Sequence, residues 1–266
     1  MVICNEIAAP EVPIEKAMIA LCYPAPWDTS CKDRIRELRS LGITSILSYG
    51  RFRVTQFISV VGKGHAAVVL LARHSKHGIV AVKARRLDSK RSSLELEGRL
   101  LEIARETCFV PSVYAYTRNF IVREFIEGPT LQEYLRKARR DRESRSTLRM
   151  LFSRVALGFA KLDAIGIDVD EVSRPLTQIV IECGDPNKPK LIDLESARLS
   201  SRPSSLTRFL GSLARAVDGI PIFELLGLSL EEFRALRELA SEYKRSVHST
   251  QREKVVNRII SLLKGA

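Results

Sequence analysis

Runs of β-branched and aromatic residues in the first half of the chain predict an antiparallel sheet. Thr55–Val61, Ala66–Arg73 and Gly78–Arg85 are rich in Val, Ile and Phe, and short turns with Gly, Ser and Lys separate them. Such a succession is typical of a strand meander. Two more short strands are predicted at Ser112–Thr117 and Asn119–Phe125.

Two helices are predicted beside these strands. The first runs over Cys31–Leu41, because Asp28-Thr-Ser30 offers N-capping oxygens before it and Gly42 follows it. The second begins after Ser92 and Ser93 and continues to about Glu106, with apolar residues at helical spacing.

The second half of the chain is dominated by helical periodicity, which starts beyond Gly128-Pro129. The predicted helices are Leu131–Arg142, Ser146–Ile165, Leu206–Val217, Ile222–Leu226, Leu230–Tyr243 and Arg252–Leu263. Only Thr177–Glu182 and Lys190–Asp193 are β-prone between them. We therefore expect an α+β fold with a helical extension (1–48), a β-rich lobe with one helix (49–125) and a helical lobe (126–266).

Composition excludes several classes of protein. With 45% hydrophobic and 28% charged residues, the 266-residue chain is expected to be globular. No apolar run approaches the ~18 residues of a membrane span, and no secretory leader is expected. The five cysteines are odd in number and have no C-x-x-C spacing, which indicates neither a zinc site nor a disulfide framework. A reducing cytoplasm is the expected compartment.

The net charge of +12 would attract phosphate-rich partners such as nucleotides or RNA. Basic residues are concentrated in Arg136-Lys-Ala-Arg-Arg140-Asp-Arg142. The same cluster is also compatible with a solvated helix end, where cations complement the helix dipole.

A glycine-rich turn separates two predicted strands at Gly62-Lys63-Gly64. Glycines there allow the backbone to approach a bulky anion, and exposed N–H groups can hold phosphates. An ordinary hairpin turn is the alternative. A dinucleotide fingerprint is not expected, because a strand rather than a helix follows the turn.

Lys83 ends an apolar strand one hairpin later, where a fixed cation could pair with nucleotide phosphates. An edge-strand lysine is the alternative. A cation in that role needs a buried carboxylate, and Glu97 precedes Leu100-Leu101 at a spacing that turns it inward. We expect Glu95 to face solvent, where it complements the helix dipole.

Acidic residues follow two other predicted elements. Asp193 leaves the end of an apolar strand, where it is either a Mg²⁺ ligand or a helix cap, and Glu195 would face the same side. Asp168, Asp170 and Glu171 follow a long helix. They offer an acid that accepts the proton of an attacking hydroxyl, or they form an exposed acidic turn.

Phosphoryl transfer needs these groups in this order along the chain: the glycine turn, the strand lysine, the helix glutamate, the acidic loop and the strand-end aspartate. From about Arg51 onward, the chain resembles the protein-kinase-like fold. It is most similar to small archaeal Ser/Thr kinase-like proteins, akin to the RIO kinases and the kinase subunit of the KEOPS tRNA-modification complex. The segments that carry this resemblance are Leu41-Gly-Ile before Tyr49-Gly50, Ser173-Arg-Pro175 and Ile192-Asp-Leu-Glu-Ser-Ala197.

The resemblance implies a bilobal kinase-like fold and an ATP and Mg²⁺ site. It implies that Gly62, Lys63, Gly64 and the residues up to Ala67 form the phosphate loop, and that Lys83 and Glu97 form the nucleotide-binding pair. Adenine would meet the hinge residues Glu124, Phe125 and Ile126. Asp193-Leu-Glu195 occupies the place of Asp-Phe-Gly.

The chain also departs from the family pattern. Val169-Asp170-Glu171 replaces the catalytic triplet, so that the acid is Glu171, or Asp170 if the register slips by one. Gln178 replaces the metal-binding asparagine, and Glu195 replaces a glycine. Arg123 stands before the hinge, where an apolar residue is usual. No Ala-Pro-Glu-type sequence follows Asp193, so we expect a reduced activation segment and peptide-docking platform.

The expected function is ATP- and Mg²⁺-dependent phosphotransfer to Ser or Thr of a protein or of the chain itself. One alternative is a nucleotide-gated ATPase or assembly factor that acts on RNA or ribosome-type particles. A nucleotide-binding pseudokinase is another. A small-molecule kinase of the aminoglycoside or choline type is less favoured, because the acidic lining is weak and the catalytic histidine is missing.

Overall fold

A computed structural model of the protein describes residues 7–170, 175–246 and 248–265. These residues form a mixed α+β structure with an antiparallel sheet, as expected from the sequence pattern. They divide into two compact units. The sheet unit contains residues 7–102 and Pro111–Phe125, and the helical unit contains Ile103–Val110 and residues 126–265.

The sheet unit contains nine strands. In chain order they are β1 (Glu11–Val12), β2 (Ile43–Leu47), β3 (Phe52–Arg53), β4 (Ser59–Val60), β5 (Gly62–Lys63), β6 (Ala67–His74), β7 (Gly78–Arg85), β8 (Val113–Tyr116) and β9 (Phe120–Glu124). The main sheet has the order β1-β2-β6-β7-β9-β8, with β5 also paired to β6, and β3 and β4 form a separate hairpin. All of these pairings are antiparallel. The segment expected to be a helical extension therefore also supplies strands β1 and β2.

Three α-helices of the sheet unit pack beside the sheet, and the first two share one buried cluster with it. They are α1 (Met18–Leu21), α2 (Cys31–Ser40) and α3 (Glu95–Ala104). Ile35 and Leu38 of α2 are buried in one cluster with Ile46 and Val68 of the sheet. Both helices predicted for this half of the chain are confirmed, because their apolar residues recur on the face that the sheet covers.

The strand predicted at Thr55–Val61 is shorter than expected. Its first residues form a turn, because Thr55 Oγ1 accepts hydrogen bonds from the amides of Phe57 and Ile58. A threonine hydroxyl that binds amides two and three residues ahead competes with strand pairing. Only β4 remains of the predicted strand.

The expectation that the cysteines form no disulfide is wrong. Cys22 and Cys31 are disulfide-bonded and close the segment between α1 and α2. Cys183 is disulfide-bonded as well, and Cys108 is the free cysteine of the described residues. Spacing did not reveal the Cys22–Cys31 pair, because a turn between two helices brings the residues together, with their Cα atoms 5.9 Å apart.

The described residues of the helical unit form seven α-helices and three short hairpins. In chain order its elements are α4 (Leu131–Arg140), α5 (Arg145–Ala164), β10 (Ile167–Val169), α6 (Pro175–Gln178), β11 (Ile179–Ile181), β12 (Pro189–Leu191), β13 (Ala197–Leu199), α7 (Ser205–Ser212), β14 (Ala216–Val217), β15 (Ile220–Pro221), α8 (Ile222–Leu225), α9 (Leu230–Arg245) and α10 (Ser249–Lys264). The hairpins are β10–β13, β11–β12 and β14–β15.

Aromatic side chains form the centre of the helical unit. Phe159 of α5 is fully buried between Phe109 and Phe209, with ring centroids 5.3 and 5.2 Å away. Gly158 is required beside them, because a Cβ there would lie 2.4 Å from the Phe109 ring. No helix of the described residues is long and apolar enough to span a bilayer.

Two predicted elements of this unit differ from the structure. The helix predicted over Leu206–Val217 ends at Ser212, and Ala216–Val217 pairs with Ile220–Pro221 instead. Asp218 and Gly219 join these strands with positive φ angles of 50° and 84°, which is typical of a tight hairpin turn. The strand predicted from Thr177 begins only at Ile179, because α6 precedes it.

Candidate active site

Lys83 and Glu97 form a buried ion pair inside the sheet unit. The two oxygens of Glu97 lie 2.7 and 2.8 Å from Lys83 Nζ, and the residues are only 5% and 3% exposed. Strand β7 positions Lys83 between Val69 and Ile121 of its neighbouring strands. The pairing expected from the sequence is therefore present. Glu95, in contrast, is exposed and accepts a hydrogen bond from Ser93.

Glu97 reaches the lysine because helix α3 packs tightly on strand β8. A Cβ at the next residue, Gly98, would lie 2.3 Å from Cγ of Tyr116. A larger residue at position 98 would push the helix outward. Gly98 thus sets the depth at which Glu97 enters the interior.

The glycine turn is a tight hairpin between β5 and β6. Gly62 and Lys63 pair with Val69 and Val68, and the Gly64 amide donates to the Ala67 carbonyl oxygen. Lys63 is exposed, and its Nζ lies 4.2 Å from the ring centroid of Tyr23. The turn offers an exposed backbone with a cation beside it, which is suited to an anion.

The expected hinge residues fall in both units, and each is described in its own. Glu124 ends strand β9, where its Oε2 accepts from the Ser112 amide at 3.1 Å. The ring of Phe125 meets Tyr49 edge-on, with centroids 6.0 Å apart. Ile126 is buried in the helical unit. Arg123, 5% exposed, donates to the Glu124 carbonyl oxygen.

In the helical unit, Asp168 is the centre of a buried charge network. It lies on β10 opposite Arg198 of β13 and is 2% exposed. Its carboxylate accepts from the Ser204 amide at 2.9 Å and from Nη1 and Nη2 of Arg208 at 2.6 and 3.1 Å. Burial raises the pKa of Asp168, but these hydrogen bonds and the charges of Arg208 and Arg198 outweigh it and hold the pKa below its usual value. The alternative prediction, that Asp168 belongs to an exposed acidic turn, is therefore wrong.

Asp170 follows directly and shares the same two arginines. It forms ion pairs with Arg198 and with Arg208, the latter at 3.1 Å, while its own side chain is 45% exposed. Its amide donates to the Ser196 carbonyl oxygen at 3.4 Å. An exposed carboxylate with a fixed orientation can accept a hydrogen bond from a hydroxyl and orient it. Glu171, the other candidate acid, lies outside the described residues.

Gln178 and Asp193 lie at one end of the β11–β12 hairpin. The Ile192 amide donates to the Gln178 carbonyl oxygen at 2.8 Å, which continues the pairing of Ile179 with Leu191. Asp193 Oδ1 accepts from the Glu195 amide at 2.9 Å, so that this carboxylate orients its own loop.

Carboxylate and amide oxygens are the donors that Mg²⁺ prefers, and Mg²⁺ commonly takes one or two carboxylates together with substrate phosphates. The donor chemistry of Asp193 and Gln178, with Glu195 nearby in sequence, fits that ion. The described residues contain no group of three or more His, Cys, Asp or Glu side chains arranged to hold a metal by themselves.

Sequence reasoning missed Arg208 and Arg198, which lie 40 and 30 positions beyond Asp168. It also missed Asp163 of α5, which is 2% exposed and accepts from the amides of Ser205 and Leu206 at the start of α7. A polar Asp in the apolar stripe of a long helix was the available signal. Such a residue needs buried donors to be tolerated.

Comparison with protein-family models and with curated proteins gave no match for this chain.

Proposed function

We propose that this protein is an atypical kinase that transfers phosphate from ATP to a Ser or Thr hydroxyl, with Mg²⁺ as cofactor. The acceptor is a protein substrate or the chain itself. The proposal includes a kinase-like fold of the small archaeal type, related to the RIO kinases and the KEOPS kinase subunit. We place it in the cytoplasm, where ATP is abundant. A disulfide such as Cys22–Cys31 is compatible with that compartment in hyperthermophiles.

The buried pair of Lys83 and Glu97 carries the proposal. Two charges removed from water cost several kcal/mol of desolvation each, and an apolar pair of similar size would commonly serve stability equally well. A buried ion pair is therefore weak support for a purely structural role. A lysine whose position a buried carboxylate defines is well suited to bind the α- and β-phosphates of a nucleotide.

The helical unit supplies the other groups that the proposal needs. Asp170 accepts or orients the proton of the attacking hydroxyl, and Arg198 and Arg208 hold its carboxylate. Asp193 and Gln178 would hold Mg²⁺, which supplies charge neutralisation of the phosphate oxygens when bound. In the sheet unit, Lys63 and the exposed backbone of the glycine turn would contact phosphate.

The test is incubation of the purified protein with γ-labelled ATP and Mg²⁺. Wild type is expected to transfer label to protein, whereas Lys83→Ala and Asp193→Asn lose transfer by two or more powers of ten. Lys76→Ala and Asp141→Asn are the matched controls, because both residues are exposed and lie at a hairpin tip and a helix end. Loss of transfer in these controls would contradict the assignment.

A second comparison identifies the catalytic acid. Asp170→Asn keeps the size of the side chain but removes its charge and one of the two oxygens that accept from Arg198 and Arg208. Glu171→Gln removes the charge at the neighbouring position. We expect the Asp170 variant to lose transfer and the Glu171 variant to keep it. The reverse result would assign the role to Glu171.

The pattern of products separates the alternatives. Released inorganic phosphate without labelled protein would indicate an ATPase. Thermal stabilisation by ATP that disappears in Lys83→Ala, without any turnover, would indicate a pseudokinase. If ATP is neither turned over nor stabilises the protein against heat, the proposed nucleotide site is refuted.

A second candidate function, an ATPase that acts on RNA, is favoured by one surface of the sheet unit. Trp27, the only tryptophan, is 81% exposed in the segment that the Cys22–Cys31 disulfide closes. Tyr23 of the same segment has Lys63 Nζ and Arg86 Cζ at 4.2 and 4.8 Å from its ring centroid. Exposed aromatic rings beside cations are typical of surfaces that stack single-stranded bases.

Two arginines that Glu37 only partly offsets lie close to this surface. Arg34, 3% exposed, and Arg85 both donate to Oδ1 of Asn119. Burial and the charge of Arg85 together lower the pKa of Arg34 to about 10, against the opposite effect of Glu37 and Asp28.

Binding of a fluorescent single-stranded RNA at several salt concentrations tests this candidate. The log–log slope is expected to be roughly −0.7 per phosphate contact, and Trp27→Ala should weaken binding by roughly tenfold. Phe57→Ala is the control, because Phe57 is also a strongly exposed aromatic side chain (72%) and lies in another loop. Equal effects of the two variants, or a flat salt dependence, would contradict an RNA-binding surface here.

A further inference from the structure

A pocket of about 450 Å³ lies within the helical unit, apart from the residues assigned to phosphotransfer. Its walls come from helices α5, α9 and α10 and from the segment after β13. The apolar part of the lining is contributed by Ala160, Ala164, Pro203 and Val256. A volume in this range suits one small molecule.

Arg252 of α10 is the polar group of this pocket whose hydrogen bonding is incomplete. Its Nη2 donates to the Pro203 carbonyl oxygen at 2.8 Å. Its Nε is buried and has no acceptor among the described residues, the one side-chain atom of the described chain in that state. A buried donor without an acceptor is destabilising, and an anion bound beside the guanidinium would supply the missing acceptor.

The carboxylate in the wall does not neutralise Arg252. Asp163 accepts from the amides of Ser205 and Leu206 at 2.9 and 3.1 Å and from the hydroxyl of Tyr243 at 3.1 Å. These donors already satisfy it, and the described residues show no ion pair between it and Arg252. The guanidinium instead lies over the Tyr243 ring, 4.5 Å from the centroid.

The positive charge of Arg252 and the apolar part of the lining together indicate the kind of ligand. Lys161, a second cation in the wall, donates to the Thr107 carbonyl oxygen over 3.4 Å. Glu253, the other acid of the lining, is exposed. We propose that this pocket binds a small amphipathic carboxylate, with its anionic group on Arg252 and its apolar chain between α5 and α10.

The proposal is independent of phosphotransfer, and isothermal titration with octanoate tests it directly. Octan-1-ol, which has the same chain without the charge, is the comparison ligand. We expect saturable binding of one octanoate per chain, and affinity for octanol at least about tenfold lower, because the charged hydrogen bonds are lost. No saturable binding up to about 10 mM would overturn the proposal.

Three variants locate the ligand. Arg252→Met should weaken octanoate at least about tenfold and abolish the preference over octanol. Arg258→Met, at an exposed arginine of the same helix that pairs with Glu242, should bind like wild type. Ala164→Phe fills the pocket from an exposed position and should abolish binding even if Arg252→Met fails to fold. Wild-type affinity in either Arg252→Met or Ala164→Phe would refute the site.

Discussion

Removal of one partner from the buried Lys83–Glu97 pair should destabilise the sheet unit strongly. Glu97→Leu deletes the carboxylate whose oxygens lie 2.7 and 2.8 Å from Lys83 Nζ, and it leaves the lysine 5% exposed. A buried charge that loses its partner typically costs about 3–5 kcal/mol of unfolding free energy. We expect a loss of that size.

The double variant Lys83→Met with Glu97→Leu should behave differently. It removes both charges, so the desolvation cost disappears together with the attraction. Replacement of a buried ion pair by apolar residues is often neutral or stabilising by up to about 4 kcal/mol. We therefore expect the double variant to be at least as stable as wild type, although both variants should lose the proposed phosphotransfer.

Urea unfolding followed by far-ultraviolet circular dichroism measures these differences. Fluorescence is a poor probe, because Trp27 is already 81% exposed in the folded protein. Glu95→Leu is the matched control on the same helix, since Glu95 is exposed, and its change should stay below about 1 kcal/mol. A loss below about 1 kcal/mol in Glu97→Leu, or a double variant less stable than the single one, would refute the reasoning.

Three further changes test other parts of the fold. Because folding lowers the pKa of Asp168, its contribution to the unfolding free energy is complete above the unfolded pKa near 3.9 and is lost as pH falls through the folded pKa. Asp168→Asn should therefore be less stable than wild type at pH 7 in urea unfolding, and the difference should be smaller at pH 3. Gly128→Ala should lower the melting temperature, because φ is +152° and a Cβ would lie 2.0 Å from the Ile181 carbonyl oxygen, whereas Gly184→Ala, with φ of +70° and open space, should cost only about 1–2 kcal/mol. Phe159→Ala should cost about 3–5 kcal/mol in urea unfolding, and a cost below 1 would contradict its central packing.

Local pattern was sufficient to predict the elements that position Lys83 and Glu97. Strand β7 agrees with the predicted Gly78–Arg85 at both ends, because its β-branched residues are flanked by turn residues. Helix α3 was found from its capping residues and apolar spacing, and the inward direction of Glu97 follows from the same spacing.

Other features depended on residues far apart in sequence. Asp168 stands among acidic residues along the chain, a pattern that favours an exposed loop. Its burial is possible only because Arg198, Arg208 and the Ser204 amide supply donors from 30 to 40 positions away. The Asp218-Gly219 turn, in contrast, was a local signal that the helical periodicity around it obscured.

Periodicity and capping over a few residues are enough to predict the α+β class, most strand and helix positions and the lysine–glutamate pair. Folding of the whole chain is needed to create the Cys22–Cys31 disulfide, the arginine contacts to Asp168 and Asp170, and the pocket beside Arg252. The physical reason is that charges and cysteines become partners through the packing of whole elements, and the energy of a buried charge depends on neighbours that no local pattern specifies.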